Sequence, residues 1–370
     1  MTAVTAPRDD PAARDVSLPR FRPTPLGVLA RAVVWAAIAW LVLVFPLGRE
    51  AFELQRYAEA VIFGIVGLSL NVLLGYVGQI SLGHQAFVGI GAFTSAYVVS
   101  DQNLSFWVGV IAAMLVGALQ ALILGAVSLR VSGLYFALVT LAYGLVAERN
   151  IFQIEGLTGG GQGQAAPKPS LFDTDWRYYY LCLAFLAVVL FVDWRMMRTR
   201  SGRALLALRE NPRVAATFGI NVRALTLVAF VVSGVFAGLA GALLAHNDTF
   251  VSPETWNFNL ALVFVIMTVV GGLRSRAGIV IGSAFFALIG YLLERFSFLQ
   301  DGLNAIPGAP DLTTEIAPLV IGPILLLLTL ILTPGGIGQQ IRPVVNWLLG
   351  RRFDLRDRSV RDVEIRDVRA

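Results

Sequence analysis

The sequence predicts an all-α fold, a polytopic bundle of transmembrane helices. Hydrophobic residues make up 56% of the 370 residues and charged residues only 14%, which is more apolar sequence than a soluble core needs. Long runs contain no Asp, Glu, Lys or Arg, and many of them reach the roughly 20 residues that cross a bilayer. We therefore expect one membrane domain whose spans are joined by short loops.

About ten apolar segments are long enough to be predicted as spans. They cover residues 27–47, 57–76, 80–100, 105–128, 133–151, 178–197, 224–245, 257–272, 278–296 and 316–333. The segments near 80 and 257 are short, glycine-rich or bounded by polar turns, a pattern typical of broken or re-entrant helices. The membrane domain is thus predicted over 27–334, between a disordered cytosolic tail at 1–26 and a charged cytosolic tail at 335–370.

The basic residues predict which side of the membrane each loop occupies. Ten crossings put both termini on one side, and 23 of the 29 Lys and Arg residues then lie on that side. Cytosolic loops carry an excess of Lys and Arg, so we expect both termini and the basic segment 195–223 in the cytosol. The same rule accounts for the net charge of +5 without nucleic acid as a partner.

The basic segment contains a short helix with both ends marked in the sequence. Asn211 is a favourable N-cap, and Pro212 stands at the first helical position, where its missing N–H costs nothing. Gly219 can adopt the left-handed conformation that ends a helix. A helix of about two turns is marginal alone in water, so this one is expected to pack against a partner.

A second unusual run, residues 70–93, places polar side chains among glycines at membrane depth. These side chains are Asn71, Gln79, Ser81, His84 and Gln85. Polar groups in hydrocarbon are costly unless they face protein or water. Two interpretations stay open: hydrogen bonds between helices around a tight break, or a break that lines a translocation pathway. A metal site is not expected, because no second His, Cys or carboxylate stands at ligand spacing.

The sequence contains no recognisable catalytic motif. We find no Ser, His and Asp set, and the glycine-rich loop 157–164 lacks the Lys and Ser or Thr of a phosphate-binding loop. The single cysteine, Cys182, lies in an apolar run, so no disulfide framework exists. We therefore predict no catalytic residues, no cofactor and no metal.

Several stretches together resemble one known family. They are LNVLLGYVGQISLGHQAFVGIGAF, SGLYFALVTLAYGLVAE, LTGGGQGQ, SGRALLALRENPRVAATFGINV, VVSGVFAGLAGALLAH and FVSPETWNFNLALVFVIMTVVGGLRSRAGIVIGSAFFALI. Their order is similar to that in the inner-membrane permease subunit of bacterial branched-chain amino acid ABC importers of the Liv type. The resemblance covers roughly residues 57–296.

This resemblance implies a multi-pass protein of the bacterial inner membrane that works within a complex. The implied partners are a second, homologous permease in a heterodimer, two cytosolic ATP-binding subunits and an extracytoplasmic solute-binding protein. ATP hydrolysis would belong to the ATP-binding subunits, so the chain itself is expected to be a transport subunit and not an enzyme.

The resemblance also assigns a role to the short cytosolic helix, which corresponds to the coupling helix that inserts into a groove on an ATPase. The matching residues are Glu210, Asn211, Pro212, Ala215, Ala216 and Gly219. Their spacing departs from the Glu-Ala-Ala-Gly loop of ABC importer permeases, because four residues separate the glutamate from the two alanines.

Alternative functions remain at this stage. The carried solute is expected to be a branched-chain amino acid or a similar small amphipathic molecule, but relatives of such permeases carry urea and short amides. An ion-coupled secondary transporter also uses glycine-broken helices, yet it is expected to have buried carboxylates, and these spans have almost none. A passive channel and a scaffolding subunit are further alternatives.

Overall fold

The structure, a computed structural model, describes residues 25–131, 133–295, 317–333 and 335–348. Its helices are α1 (Pro25–Ala39), α2 (Ala51–Asn71), α3 (His84–Ser100), α4 (Phe106–Ser128), α5 (Leu134–Arg149), α6 (Glu155–Thr158), α7 (Asp175–Arg198), α8 (Arg200–Glu210), α9 (Pro212–Thr217), α10 (Val222–Asp248), α11 (Phe258–Gly271), α12 (Arg276–Arg295), α13 (Ala317–Leu332) and α14 (Gly336–Leu348). Almost all of the predicted N-terminal tail, and the predicted C-terminal tail beyond residue 348, lie outside the described residues.

Six of the described helices are long and apolar enough to cross a membrane. The qualifying segments are Gly27–Val44, Ala51–Val77, Phe106–Ser128, Asp175–Arg198, Val222–Asp248 and Arg276–Leu293. Two of them continue α1 and α2 into short π-helical segments, Trp40–Val44 and Val72–Val77. The predicted all-α membrane bundle is therefore confirmed as a fold class.

The other four predicted spans are helices too, but shorter ones. α3, α5, α11 and α13 have 17, 16, 14 and 16 residues. At a rise of 1.5 Å per residue, the 14 residues of α11 reach only about 21 Å, less than the roughly 30 Å of a hydrocarbon core. Six helices meet the length of a full crossing, so the total of about ten spans stays a prediction.

The bundle is built around α2 and α10, the most buried of the long helices. Small residues let α10 approach its neighbours backbone to backbone. A Cβ added at Gly234 would lie 2.2 Å from the carbonyl oxygen of Gly117, and one at Gly241 would lie 2.0 Å from that of Val88. The small-residue run 233–242 of α10 therefore serves close helix packing.

A short antiparallel ladder closes one end of the bundle. Strand β1, Gln164–Ala165, pairs with β2, Phe250–Val251, in the register Gln164 with Val251 and Ala165 with Phe250. The ladder holds the glycine-rich loop against the C-terminal end of α10. Ser100 at the end of α3 donates to the Ala165 carbonyl oxygen at 2.6 Å, so α3 reaches the same end.

Helix α14, which lies within the predicted C-terminal tail, packs against the turn between α11 and α12. The contact is made by glycines on both sides. A Cβ added at Gly278 would lie 2.5 Å from Cα of Gly338, and one at Gly272 would lie 2.5 Å from the Gly335 carbonyl oxygen. The end of the described chain is therefore fixed beside this turn.

Candidate functional site

A break separates α2 from α3, where the sequence predicts one. The π-helical end of α2 is followed by Gly78, whose φ of +77° turns the chain sharply. Helix α3 then begins at His84, whose Nε2 lies 2.9 Å from Oγ of Ser69. Because Ser69 precedes Val77 by two turns, roughly 12 Å of helix, residues 78–83 must run back into the bundle beside α2.

The five predicted pathway side chains are concentrated at this break. Asn71, Ser81, His84 and Gln85 are at most 1% exposed, and Gln79 is half-buried. Each has a buried polar atom with no hydrogen-bond partner among the described residues: Asn71 Nδ2, Gln79 Oε1, Ser81 Oγ, His84 Nδ1, and both Nε2 and Oε1 of Gln85. An unpaired buried polar atom costs about 1–3 kcal/mol, so such a concentration indicates either bound water or a functional role.

His84 is hydrogen-bonded to Ser69, which is hydrogen-bonded to Ser233, and neither serine was singled out from the sequence. Ser69 Oγ lies 2.9 Å from His84 Nε2, 2.7 Å from the Ser233 carbonyl oxygen and 3.1 Å from Ser233 Oγ. Ser233 in turn donates to the Ser69 carbonyl oxygen at 2.9 Å. The cluster joins α2, α3 and α10 at the break. The only sequence signal for it is a pair of serines within otherwise apolar helices.

Helix α5 packs directly on the break. Thr140 Oγ1 accepts a hydrogen bond from the Leu82 backbone N–H at 3.0 Å. Glycine is required at Gly83, because a Cβ there would lie 2.0 Å from the Thr140 carbonyl oxygen. Gly144 faces Gln85, and its added Cβ would lie 2.6 Å from Gln85 Nε2. The unpaired amide of Gln85 is therefore covered by the α5 backbone.

The chain has one other histidine, His246, and both of its ring nitrogens have hydrogen-bond partners. His246 Nε2 lies 2.9 Å from Ser95 Oγ, and Nδ1 lies 2.7 Å from the Pro167 carbonyl oxygen. Its ring also packs edge-on against Phe106, with centroids 4.9 Å apart. This second histidine joins α10, α3 and the loop after β1, at the end of the bundle opposite the basic segment.

The predicted short helix in the basic segment is present as α9. Asn211 Oδ1 accepts hydrogen bonds from Arg213 N and Val214 N at 3.0 and 3.2 Å, Pro212 is the first helical residue, and Gly219 has a φ of +77°. The structure adds α8, which was not predicted. Asn211 ends α8 and caps α9, so the two helices meet at one residue.

Helix α9 presents an apolar tip away from the rest of the chain. Phe218 is 81% exposed and Val214 is 50% exposed, although neither was predicted as a coupling residue. Of the two predicted alanines, Ala216 is exposed and Ala215 is buried. Ala216 with Val214 and Phe218 is thus available to a partner, while Ala215 packs within the chain.

Glu210 makes its contact within the chain. It lies at the end of α8, and its Oε1 accepts a hydrogen bond from Arg274 in the α11–α12 turn at 2.9 Å. Arg274 also donates from its backbone N–H to Asn71 Oδ1 at 2.9 Å and from Nε to the Gly75 carbonyl oxygen at 3.4 Å. Arg209 donates to that same carbonyl. The segment before α9 is therefore bonded to the end of α2.

The environment of Arg209 shows how closely this region packs. Burial lowers the pKa of its guanidinium from the usual value, and the neighbouring positive charge of Arg274 acts in the same direction. Arginine nonetheless remains protonated at physiological pH. Two cations therefore share one backbone carbonyl, with Glu210 as the adjacent anion.

A second ion pair reinforces the same end of the bundle. Asp193 on α7 is fully buried and pairs with Arg276 at the start of α12. Tyr76 at the end of α2 donates to Asp193 Oδ2 at 3.1 Å. Among the described residues, no group of three His, Cys, Asp or Glu side chains is placed to hold a metal ion.

The fold and this geometry define a class: a multi-pass α-helical membrane protein with a broken helix in its core and a capped helix projecting beside it. The family profile described as "Branched-chain amino acid transport system / permease component" matches residues 55–330. The chain belongs to this family of transport permeases, as its sequence motifs indicate.

Individual relatives support the same family. The chain is 30% identical over 294 residues to the high-affinity branched-chain amino acid transport system permease protein LivM of Escherichia coli, covering 72% of this chain and 68% of LivM. It is 23% identical over 303 residues to the LivH permease protein of the same system, covering 75% and 91%.

A third relative is named for a different substrate. The guanosine ABC transporter permease protein NupQ of Bacillus subtilis is 27% identical over 313 residues, covering 74% of this chain and 89% of NupQ. Members of the family therefore differ in the solute they carry. No solved structure matches the chain.

Proposed function

We propose that the chain is the membrane-spanning permease subunit of an ATP-driven importer for branched-chain amino acids or similar small amphipathic solutes. The main support for this proposal is that residues 55–330 match the permease family. Relatives named for branched-chain amino acid transport support it further. The chain forms half of the translocation pathway, and ATP is hydrolysed by partner subunits.

The break between α2 and α3 is the part of the chain that lines this pathway. Asn71, Gln79, Ser81, His84 and Gln85 carry the unpaired polar atoms described above. A passing polar solute or its water can use these atoms, which lie on irregular backbone of the kind that membranes tolerate only where it is enclosed by protein or lines a cavity.

The segment from Glu210 to Gly219 couples the chain to a cytosolic ATP-binding subunit. Its support is the short capped helix α9, whose exposed Val214, Ala216 and Phe218 offer a compact apolar surface. Asn211, Pro212 and Gly219 shape the helix, and Ala215 packs it against the chain. The geometry assigns Glu210 an inward contact with Arg274 in addition to any contact with the ATPase.

The complete importer contains two ATP-binding subunits, an extracytoplasmic solute-binding protein and a second permease. E. coli LivM and LivH are both named as permease proteins of one transport system, which supports a heterodimer. The chain lies in a bacterial inner membrane with both termini and α9 on the cytosolic side. In this orientation 23 of the 29 Lys and Arg residues lie on the cytosolic side, as the positive-inside rule requires.

Reconstitution of the complex tests this function. Proteoliposomes holding both permeases, the ATP-binding subunits and the binding protein should accumulate leucine only when ATP is supplied. Competition with isoleucine, valine, guanosine and urea then defines the solute class. Uptake by the chain alone, driven by an ion gradient without ATPases, would establish a secondary transporter and overturn the proposal.

The coupling role has its own test at Ala216. An Ala216→Glu substitution adds a charge to the exposed surface of α9 without entering the packed side, so the chain should insert and fold but lose the ATP-binding subunit in a pull-down. Ala216→Ser is the matched control and should retain it. Equal recovery of the ATPase with both variants would refute docking at α9.

A further inference from the structure

The most connected polar site outside the break lies where the segment before α9 meets the end of α2. Two arginine side chains, from different elements, converge on one backbone carbonyl at the end of α2, that of Gly75. Arg209 at the end of α8 donates to it, Arg274 in the α11–α12 turn donates to it from Nε at 3.4 Å, and Arg274 also pairs with Glu210 at 2.9 Å. We call Arg209 and Arg274 the arginine clamp.

The position of the clamp has a physical reason. The last carbonyl groups of a helix have no partner within the helix and carry partial negative charge. Gly78 ends the helix by turning with a positive φ, which leaves the Gly75 carbonyl free for the two guanidinium groups. The Arg209 side chain also lies against Gly78, where an added Cβ would be 3.2 Å from its Cγ.

Arg274 is held in a costly conformation to make these contacts. Its φ is +67° although it is not glycine, and the left-handed region is unfavourable for a residue with a Cβ. In this conformation its backbone N–H reaches Asn71 Oδ1 at 2.9 Å. Strained residues of this kind persist only where the surrounding structure enforces them, and here three hydrogen-bonding groups of Arg274 are used.

The contacts form a continuous physical connection. It runs from α9 through the shared cap Asn211 to Arg209 and Glu210 on α8, then through the clamp to Gly75 and Asn71 on α2. From there only Tyr76 to Gly78 separate the clamp from the irregular residues 79–83 that lead into α3. The route does not pass through α10, although α10 follows α9 in the chain.

We propose that Arg209 and Arg274 are positioning residues that transmit movement of the coupling helix α9 to the break between α2 and α3. This inference rests on the proposed function, since it requires an ATP-binding subunit that moves α9. Without the clamp, α9 still docks on the ATPase, but the break no longer follows it. ATP hydrolysis then proceeds with little transport.

The first experiment measures solute imported per ATP hydrolysed by the full complex in proteoliposomes. Arg209→Ala and Arg274→Ala should each lower this ratio about fivefold or more, the range of typical coupling free energies, while ATP-binding subunits still co-purify. Arg203→Ala, at an exposed position on α8, is the control and should leave the ratio unchanged. An unchanged ratio in both clamp variants overturns the inference.

Conservative substitutions guard against misfolding as the explanation. Arg209→Lys and Arg274→Lys keep a cationic donor for the Gly75 carbonyl but lose the second branch of the guanidinium. They should restore folding fully and the transport ratio in part. Lysine variants that are fully folded and as uncoupled as the alanine variants still support the clamp, whereas alanine variants with wild-type coupling contradict it.

The second experiment observes the break directly. Cys182, the one cysteine of the sequence, is fully buried, so an Ile80→Cys substitution in the exposed part of the break provides the main accessible thiol of this chain, and the partner subunits are used in cysteine-free form. Its maleimide labelling rate in the complex should change on ATP addition, and Arg274→Ala should abolish that change. A nucleotide-dependent rate that survives Arg274→Ala, or no dependence in a transporting complex, overturns the inference. Failure of the wild-type complex to transport with ATP would instead refute the proposed function.

Discussion

The two histidines of the chain sit in similar settings and differ in one respect. Each is fully buried, and each has Nε2 at 2.9 Å from a serine hydroxyl. The Nδ1 of His246 reaches the Pro167 carbonyl oxygen, whereas that of His84 has no partner among the described residues. His246 therefore links two helices and a loop through both ring nitrogens. His84 has one unpaired ring nitrogen, which lies near other unpaired polar groups. The two sites therefore differ in hydrogen-bond pairing and not in burial.

The largest expected effect on stability is at His246. His246→Ala removes two hydrogen bonds and the contact with Phe106, and it leaves the buried Ser95 Oγ without its partner. We expect a loss of about 2–4 kcal/mol, measured as a lower unfolding temperature of the purified chain in detergent. Uptake per folded molecule should change little. An unaltered unfolding temperature would show that the complete pairing is not structural.

A smaller loss of stability is expected at His84. His84→Ala removes one hydrogen bond fewer than His246→Ala and leaves a cavity of similar size, so its cost should be about 1 kcal/mol smaller. Uptake per folded molecule should fall by about tenfold, which corresponds to 1.4 kcal/mol. Thermal unfolding and proteoliposome uptake measure the two quantities. If the two histidine variants lose stability and uptake in the same proportion, the distinction between the sites is wrong.

The smallest effect on stability is expected at Gln85. Gln85→Met replaces an amide whose two polar atoms are both unpaired, so stability should stay within about 0.5 kcal/mol or rise. Uptake should still fall, because the pathway loses a donor and an acceptor.

Gln120→Met is the matched control for this substitution. Gln120 donates to the Val116 carbonyl oxygen at 3.3 Å and accepts from Tyr143 at 2.6 Å, so its replacement should cost about 1–2 kcal/mol. A Gln85 variant that unfolds as readily as the Gln120 variant would mean that the amide of Gln85 has partners in the membrane.

Local features of the fold could be predicted from the sequence. The caps of α9 were predictable because Asn211, Pro212 and Gly219 act on neighbouring backbone groups. The break near residue 80 was predictable because glycines and polar residues interrupt an apolar run. Span lengths were less accessible, since an apolar run of 20 residues does not reveal that α3 begins only at His84.

Contacts between distant segments could not be read in this way. Arg274 meets Asn71, 203 residues away, and Arg209 meets Gly75, 134 residues away. In the sequence these arginines resemble the other basic residues that orient the protein. Ser69 and Ser233, 164 residues apart, likewise form one cluster only after α2 and α10 pack. The sequence could thus single out individual residues, and their contacts required the three-dimensional structure.

The glycine contact between α14 and the α11–α12 turn makes the C-terminal helix a fixed reference point. At Gly278 and Gly338 the two backbones approach too closely for a side chain on either one, so α14 is packed tightly beside the turn that carries Arg274. A fluorophore attached at the end of α14 would therefore report the position of that turn. Energy transfer to a second fluorophore on an ATP-binding subunit would then measure how the distance between that subunit and the turn changes during transport.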